Sequence, residues 1–427
     1  MLHMPTKKDA RRGAFVTRRR FALVGAVIVA ALIPYLGRIL LVPGTVQITP
    51  TTNAFIANVA AVIIAFWARL SIEPFPGIRS STIILPAAAV AHGVVLVVFL
   101  MTRLPYDRAG LTLGFGLHVL WGYGLYFLVQ RRASLRIGVV PVGEVARLDE
   151  IDQVEWVPLA APTLDATIGC NAIVADFSAD IPDEWESFLA DAALAGIIVY
   201  QVKNLAESLT GRVEIDHLSE NAFGSLVPAR GYFHLKELLD LGFALVMLPL
   251  VLPVLAAAAI AIRFDSKGPV FFRQARIGHA GQSFKVIKFR TMVIGDGSLD
   301  PRAAAITGDY DPRVTRVGGF LRRTRIDEVP QIFNIIKGEM SWIGPRPEAE
   351  ILSLWYVGEL PFYRYRHVVK PGISGWAQTN QGHVAEVADV HRKLQYDFYY
   401  IKYFSPWLDL LILFKTIKTM ATGFGSR

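Results

Sequence analysis

The sequence predicts a mixed membrane protein: a four-helix transmembrane bundle, a small α/β domain, and a mainly α C-terminal part with a re-entrant membrane helix and interfacial amphipathic helices. Three observations predict it. Of 427 residues, 53% are hydrophobic and only 19% charged, with a mean hydropathy of +0.39, too apolar for an ordinary soluble chain. Four apolar stretches near the start are each long enough to cross a hydrocarbon core of about 30 Å as a helix. The charge then changes sign twice. Residues 1–132 carry 14 Lys and Arg against 3 acids, residues 133–230 carry 5 against 16, and residues 231–427 carry 25 against 17. That pattern marks three regions with different neighbours.

The four spans run over about 21–42, 54–70, 81–101 and 111–129. The first follows the basic leader "KKDARRGAFVTRRR". No small-residue cleavage site follows it and three more spans do, so it reads as a retained helix. Lys and Arg crowd the chain before the first span and again at Arg131, Arg132 and Arg136 after the fourth, which puts both ends of the bundle on the cytoplasmic side. The single cysteine, Cys170, excludes an internal disulfide framework, and the nine histidines show no zinc-ligand spacing. The net charge of +8 comes with no nucleic-acid-binding signature, and its basic residues flank apolar segments. A membrane surface and a phosphate-bearing substrate, not nucleic acid, are the partners this predicts.

Residues 133–230 change character. "RIGVVPVG", "QVEWVPLA", "NAIVADF" and "GIIVYQV" are short β-branched runs, and "PDEWESFLADAALAG" has helical spacing. They predict an α/β, Rossmann-like cytoplasmic module with a mostly parallel sheet. No GxGxxG follows its first strand, so dinucleotide binding has little support. A regulatory or oligomerising role, a homodimer included, is the plainer reading.

Next comes "KELLDLGFALVMLPLVLPVLAAAAIAIRFDSKGP", whose apolar core from Leu241 to Ile262 is long enough for a fifth span. Pro249 and Pro253 sit inside it, and a full crossing would carry the basic residues 263–427 outside the cell, against the positive-inside rule. A helix over about 236–263 that enters, breaks near Pro253 and returns to the same face removes the conflict. Near the end, "YFSPWLDLLILFKTIKTMATGFG" suits an amphipathic helix lying on the membrane surface, and "EAEILSLWYVGELPFYRYRH" has a similar aromatic and basic mixture.

Within this region "RTRIDEVPQIFNIIKGEMSWIGPRP", residues 323–347, gathers charges and stiff turns. Pro330 favours a helix that starts within a turn before it, with Gly338 as its stop. Asp327 and Glu328 then sit at its N-terminus, where free N–H groups and partial positive charge favour anions. Adjacent helical residues diverge by about 100°, so the two carboxylates flank a metal or substrate instead of sharing a proton. One can attack phosphorus while the other holds a divalent cation, with arginines offsetting the repulsion between anions. Simple capping would explain the acidic pair taken alone. Its surroundings argue otherwise: Arg322, Arg323 and Arg325 precede it, Arg346 follows between two prolines, and "FKVIKFRTM" places Lys288 and Arg290 at a strand edge.

The blocks "GPVFFRQARIG", "FKVIKFRTM", "RIDEVPQIFNIIKGEMSWIGPRP" and "KPGISGWAQ", in this order, resemble the bacterial sugar transferases, the monotopic polyprenyl-phosphate hexose-1-phosphate transferases. The resemblance covers residues 231–427, and the preceding spans and α/β module look like the long form of the family. It implies that Asp327 attacks the β-phosphate of a UDP-hexose, releasing UMP, and that undecaprenyl phosphate then takes the sugar-phosphate. It implies Mg²⁺ at Glu328 and Asp327, and substrate contacts from Lys288, Arg290, Arg322, Arg346, Gln331 and Asn334. It assigns Lys236, Asp240 and Pro253 to the re-entrant helix. It also implies membrane lipid around the catalytic domain and a place on the cytoplasmic face of a bacterial inner membrane, starting exopolysaccharide, capsule or O-antigen synthesis. Three positions depart from the family pattern: Glu237 stands where a base is usual, Leu252 precedes Pro253 where a serine is usual, and "WAQTNQGH" replaces "WAQVNG". Two other readings compete, an active site among the four N-terminal helices and a catalytically silent scaffold. The near absence of ionisable residues in the spans opposes the first, and the intact acidic pair with its cations opposes the second.

Overall fold

The computed structural model describes residues 19–41, 47–72, 81–130, 136–152, 154–213, 228, 230–293, 313–381 and 387–422. The basic leader up to residue 18, Arg131, Arg132 and the Gly-His of "WAQTNQGH" lie outside the described residues. The chain forms two compact units, Met1–Gly211 and Arg212–Arg427.

In the first unit the predicted spans are helices. The first consists of α1 (Arg19–Val27), a π-helical turn (Ile28–Leu32) and α2 (Ile33–Leu41). It is followed by α3 (Ile48–Ile72), α4 (Ser81–Thr102) and α5 (Arg108–Gln130). Helix α3 starts six residues before its apolar run because Pro50 suits a first turn, where no N–H is needed. Small side chains make the seams between helices. Ala54, Ala57, Ala61, Ala65 and Ala68 lie buried along α3, and Ala87, Ala88 and Ala91 along α4. They let backbones approach closely, which is how helices associate where lipid is as apolar as leucine. The Asn58 amide occupies the space a side chain at Gly114 would need and donates to the Gly110 carbonyl at 3.1 Å.

The α/β module has four parallel strands in the order β2-β1-β3-β4: β1 (Arg136–Val139), β2 (Glu155–Pro158), β3 (Ala172–Ala175) and β4 (Ile198–Gln201). Each falls within a run predicted from β-branched content. Helix α6 (Asp183–Leu194) covers one face through Phe188, Leu189 and Ala192, and α7 (Val202–Thr210) covers the other through Val202 and Leu205. Burial on both faces of the two central strands explains why β1 and β3 read as continuous apolar runs without alternation.

The second unit is built on α8 (Arg230–Asp265), an antiparallel hairpin of β5 (Phe271–Ile277) and β6 (Ser283–Phe289), and α9 (Arg316–Arg323). A 3₁₀ helix (Ile326–Gln331) leads into α10 (Ile332–Ile336) and then β7 (Ser341–Ile343), which pairs in parallel with β8 (Gly372–Ser374). Between these strands lie α11 (Glu350–Glu359) and a 3₁₀ helix (Tyr363–Val368); α12 (Trp376–Asn380), α13 (Val387–Lys402) and α14 (Pro406–Thr422) complete the unit. The predicted surface helix α14 is two-faced, with Leu408, Leu411 and Ile412 buried and Leu413 and Ile417 exposed.

The break expected near Pro253 is not an interruption of the helix. Arg230–Asp265 is one helix with Pro249 and Pro253 inside it. The prolines are four residues apart, hence on one face, and both are exposed. Each lacks an N–H and crowds the carbonyl four residues before it, opening the helix on its own side. On the inner face Ala244, Met247 and Leu248 pack on Val286, Ile332, Ile335 and Met340, while Leu255, Ala258 and Ile262 pack on Phe289 and Leu321. Leu238, Val246, Leu250, Leu252, Val254 and Ile260 point outward, exposed.

Polar links hold both ends of α8. At its start Lys236 pairs with Asp409 at 2.7 Å and lies 3.6 Å from Asp240. Asp240 accepts from the Ser341 hydroxyl at 2.6 Å, and the Trp342 indole donates to its carbonyl at 3.1 Å. At its end Asp265 accepts from the Val317 N–H at 3.3 Å. The β7–β8 pair depends on two bare Cα atoms, because a Cβ at Gly372 would collide with the Gly344 backbone nitrogen. Gly372→Ala is expected to destabilise the detergent-solubilised protein by about 3 kcal/mol, read as a lowered denaturation midpoint. An unchanged midpoint would contradict this packing.

Candidate active site

The acidic pair sits on the 3₁₀ helix Ile326–Gln331, not on the first turn of a longer α-helix. Pro330 can donate no backbone bond within the turn, which closes through bonds such as Glu328 N–H to the Arg325 carbonyl at 3.2 Å. Arg325 takes the left-handed conformation, φ 56°, between α9 and this turn, reversing the chain at a strain of roughly 1–2 kcal/mol. With three residues per turn, Asp327 and Glu328 point about 120° apart. Glu328 turns inward and is buried, whereas Asp327 remains partly exposed. Gly338, at φ +75°, ends the segment as expected.

Three elements bring cations to this turn. Lys288, the penultimate residue of β6, donates to Glu328 Oε1 at 2.7 Å. Arg346, held between Pro345 and Pro347, donates to the same oxygen at 2.7 Å. Arg322 comes from α9, which lies close against the chain because Gly318 meets the Thr291 carbonyl with no side chain between them. One turn later, Arg322 Nε donates to Thr291 Oγ1 at 2.9 Å. Both hydrogen bonds to Glu328 fall on Oε1. Its Oε2 and the whole Asp327 carboxylate accept none among the described residues.

The charges then sort themselves. Burial pushes Glu328 up, but Arg346 and Lys288 outweigh it and hold the group well below the usual carboxylate range. Burial likewise pulls Lys288 down to about 8, although Glu328 opposes that fall. Asp327 goes the other way. Burial and the Glu328 charge raise it to about 6 against the attraction of Lys288, Arg346 and Arg322. The pair is thus one firmly ionised carboxylate and one whose ionisation is pushed up to about 6. Such a split is what would let neighbouring acids take different roles.

Other predicted site residues are placed differently. Arg290, one residue beyond β6, is buried and donates to the Ser266 carbonyl at 2.8 Å and to the Lys267 carbonyl, just past the end of α8. Asn334 is fully buried. It accepts from the Ile287 N–H at 3.0 Å and donates to the Lys285 carbonyl at 2.8 Å and Glu339 at 2.6 Å, pinning β6 to α10. Gln331 is buried in the 3₁₀ turn. These geometries fit Arg290 and Asn334 as supports of the site. Lys236, Asp240 and Pro253 all lie on α8, as described above. Sequence reasoning missed Arg276, whose guanidinium binds the Pro347 carbonyl and Gln274 Oε1, and the buried Arg366–Asp397 pair at 2.7 Å. Arg276 stands in a quoted block, but nothing in its spacing separates it from a surface arginine.

Among the described residues no three His, Cys, Asp or Glu side chains cluster as a metal cage. Two adjacent carboxylates with uncommitted oxygens do fit Mg²⁺, which takes one or two carboxylates and completes its shell with substrate phosphates and water. Because the folded state disfavours ionised Asp327, this group supports stability below about pH 4, and that support is lost as pH rises through about 6. Asp327→Asn is therefore expected to raise the thermal midpoint at pH 7.5 and to leave it unchanged at pH 4. An equal shift at both values would contradict the raised acid.

The family profile described as bacterial sugar transferase matches residues 231–423. Over 383 residues, 90% of this chain and 89% of the relative, the sequence is 41% identical to a UDP-N-acetylgalactosamine-undecaprenyl-phosphate N-acetylgalactosaminephosphotransferase of Aeromonas hydrophila. It is 41% identical over 185 residues, 43% of this chain and 39% of the relative, to a UDP-glucose:undecaprenyl-phosphate glucose-1-phosphate transferase of Escherichia coli (strain K12). It is 42% identical over 135 residues, 32% of this chain and 74% of the relative, to a putative undecaprenyl-phosphate N-acetylgalactosaminyl 1-phosphate transferase of Bacillus subtilis (strain 168). With the acidic pair and its cations inside the matched region, the chain belongs to the bacterial sugar transferase family, as a long-form polyprenyl-phosphate hexose-1-phosphate transferase.

Proposed function

We propose that the protein transfers hexose-1-phosphate from a UDP-hexose to undecaprenyl phosphate, giving undecaprenyl-diphosphate-hexose and UMP, through a sugar-phosphate carried on Asp327. One observation carries this reading. Glu328 is bound through one oxygen by Lys288 and Arg346, while beside it the Asp327 carboxylate feels the same cations and accepts no hydrogen bond among the described residues. In the first step an Asp327 carboxylate oxygen bonds to the β-phosphorus. The bond from that phosphorus to the oxygen bridging the two phosphates breaks, and UMP leaves with that oxygen. In the second step a phosphate oxygen of undecaprenyl phosphate attacks the same phosphorus, the bond to Asp327 breaks, and the carboxylate is regenerated.

Arg346, Lys288 and Arg322 offset the repulsion between an anionic nucleophile and an anionic phosphate. Mg²⁺ at Glu328 and Asp327, when bound, supplies further positive charge along the diphosphate. Glu328 itself keeps Lys288 and Arg346 in place. The donor is a UDP-sugar of the hexose class. UDP-N-acetylgalactosamine joins UDP-glucose and UDP-galactose as the first to test, because the relative of that name matches along nearly the whole chain.

The polar links at the two ends of α8 support a re-entrant course for it. Lys236 near its start and Asp265 at its end bind elements of the same unit, which a helix crossing the bilayer fully would have to leave at one end. Its outward apolar face then meets lipid on the cytoplasmic side of the bacterial inner membrane, beside the site where the lipid acceptor must arrive. There the product would start exopolysaccharide, capsule or O-antigen synthesis.

The reaction is tested by UMP release from UDP-sugars with purified protein. Release is expected to need undecaprenyl phosphate for turnover and to fall at least about 10³-fold in Asp327→Asn. Without lipid, β-phosphate label should stay on the protein and be labile to hydroxylamine; full activity in the variant would remove Asp327 from the chemistry. For topology, single cysteines at His234 and at Lys267 in a Cys170→Ser background should react with an impermeant maleimide from the same side of membrane vesicles. Labelling from opposite sides would establish a full crossing.

A further inference from the structure

Arg346 can serve Glu328 only if its backbone is held still, and the chain around it supplies few ways to do so. Pro345 and Pro347 have no N–H, so the stretch Pro345–Pro347 has one backbone donor and must be held through its carbonyls. Four consecutive carbonyls are held. The Gly372 N–H donates to the Pro345 carbonyl at 3.0 Å, and the Ile277 N–H to the Glu348 carbonyl at 3.3 Å. The two between them are taken by side chains: buried Arg366 donates to the Arg346 carbonyl at 2.9 Å, and half-buried Arg276 donates to the Pro347 carbonyl.

Arg366 is built for such a task. Its Nε and NH2 bind Asp397 at 3.0 and 2.7 Å, and NH1 binds the Tyr363 hydroxyl at 2.8 Å. Arg366 and Asp397 are 3% and 1% exposed, so neither reaches substrate. A planar guanidinium engages carboxylate, hydroxyl and carbonyl together from one fixed position; a lysine ammonium keeps the charge but not the fork.

We propose that Arg366 is a positioning residue for the transfer reaction, acting through the Arg346 backbone to set the Arg346 guanidinium on Glu328, with Arg276 as its counterpart on Pro347. This rests on the reading that Arg346 serves the chemistry at Asp327. Release of the Arg346 carbonyl lets the loop drift, and a displacement of about 1 Å in a catalytic group lowers rates by about 10²-fold.

The test is a double-mutant cycle on the full chain in nanodiscs, following UMP release with Arg366→Lys, Arg346→Lys and the pair. Arg366→Lys alone is expected to lower kcat about 10²-fold, with KM for the UDP-sugar within about threefold. In the Arg346→Lys background the same change should add less than about threefold, because residues acting through one another are not additive. Equal losses in both backgrounds, or a loss confined to KM, overturn the proposal and leave Arg366 as a general fold element. Should Arg366→Lys fail to fold, the same cycle with Arg276→Lys decides by the same criteria. If Asp327→Asn retains activity, the site reading itself falls; if that variant is dead and the cycle is additive, only the positioning role falls.

Discussion

One carboxylate oxygen organises the second unit. Glu328 Oε1 receives Lys288 from β6 and Arg346 from the loop after β7, both at 2.7 Å and largely buried. Burial of a lone ion is penalised by several kcal/mol even after relaxation, and removing one partner of a buried pair typically destabilises by about 3–5 kcal/mol. None of the three groups can therefore stay charged and buried without the others. Their mutual need draws three separate elements to one point and gives that point a surplus of positive charge. Asp327, adjacent in sequence but about 120° away around the 3₁₀ turn, faces that surplus without being absorbed by it.

Around this point the fold holds backbone more than side chains. Asn334 ties β6 to α10 and so fixes the strand that carries Lys288. Gly344 and Gly372 meet backbone to backbone, and the carbonyls from Pro345 to Glu348 are each bound. Arg290 binds carbonyls just past the end of α8, and Lys236 and Asp240 tie its start to α14 and β7. The apolar outer face of α8 and the turn bearing Asp327 and Glu328 are thus fixed to one frame, which suits the proposed transfer from a water-soluble donor to a lipid acceptor.

Helix α8 shows where local rules reach their limit. Pro249 and Pro253 suggested a broken helix, yet the element is continuous. A proline removes one hydrogen bond and strains one carbonyl, and whether this breaks or merely bends a helix depends on what packs against the opposite face. Here Ala244, Leu255, Ala258 and Ile262 give that face a surface to wrap around.

Hydrophobic length and β-branched content were enough to locate the four long apolar helices of the first unit and all four strands of the α/β module, because those signals are local and summed over many residues. The motif around Asp327 and Glu328 was legible for the same reason: its proline, acids and arginines lie within a short stretch. Which cation meets which carboxylate was not. Arg290 and Lys288 are two residues apart and look alike in sequence, but β6 ends between them and sends one to backbone carbonyls and the other to Glu328. Arg276, Arg366 and Asp397 reach the Arg346 loop from distant segments, and the sequence carries no mark of their partners. Short-range periodicity and composition decide what each segment becomes; only the packing of segments far apart in the chain decides which buried charges compensate one another, because pairing strength depends on distance and desolvation in three dimensions.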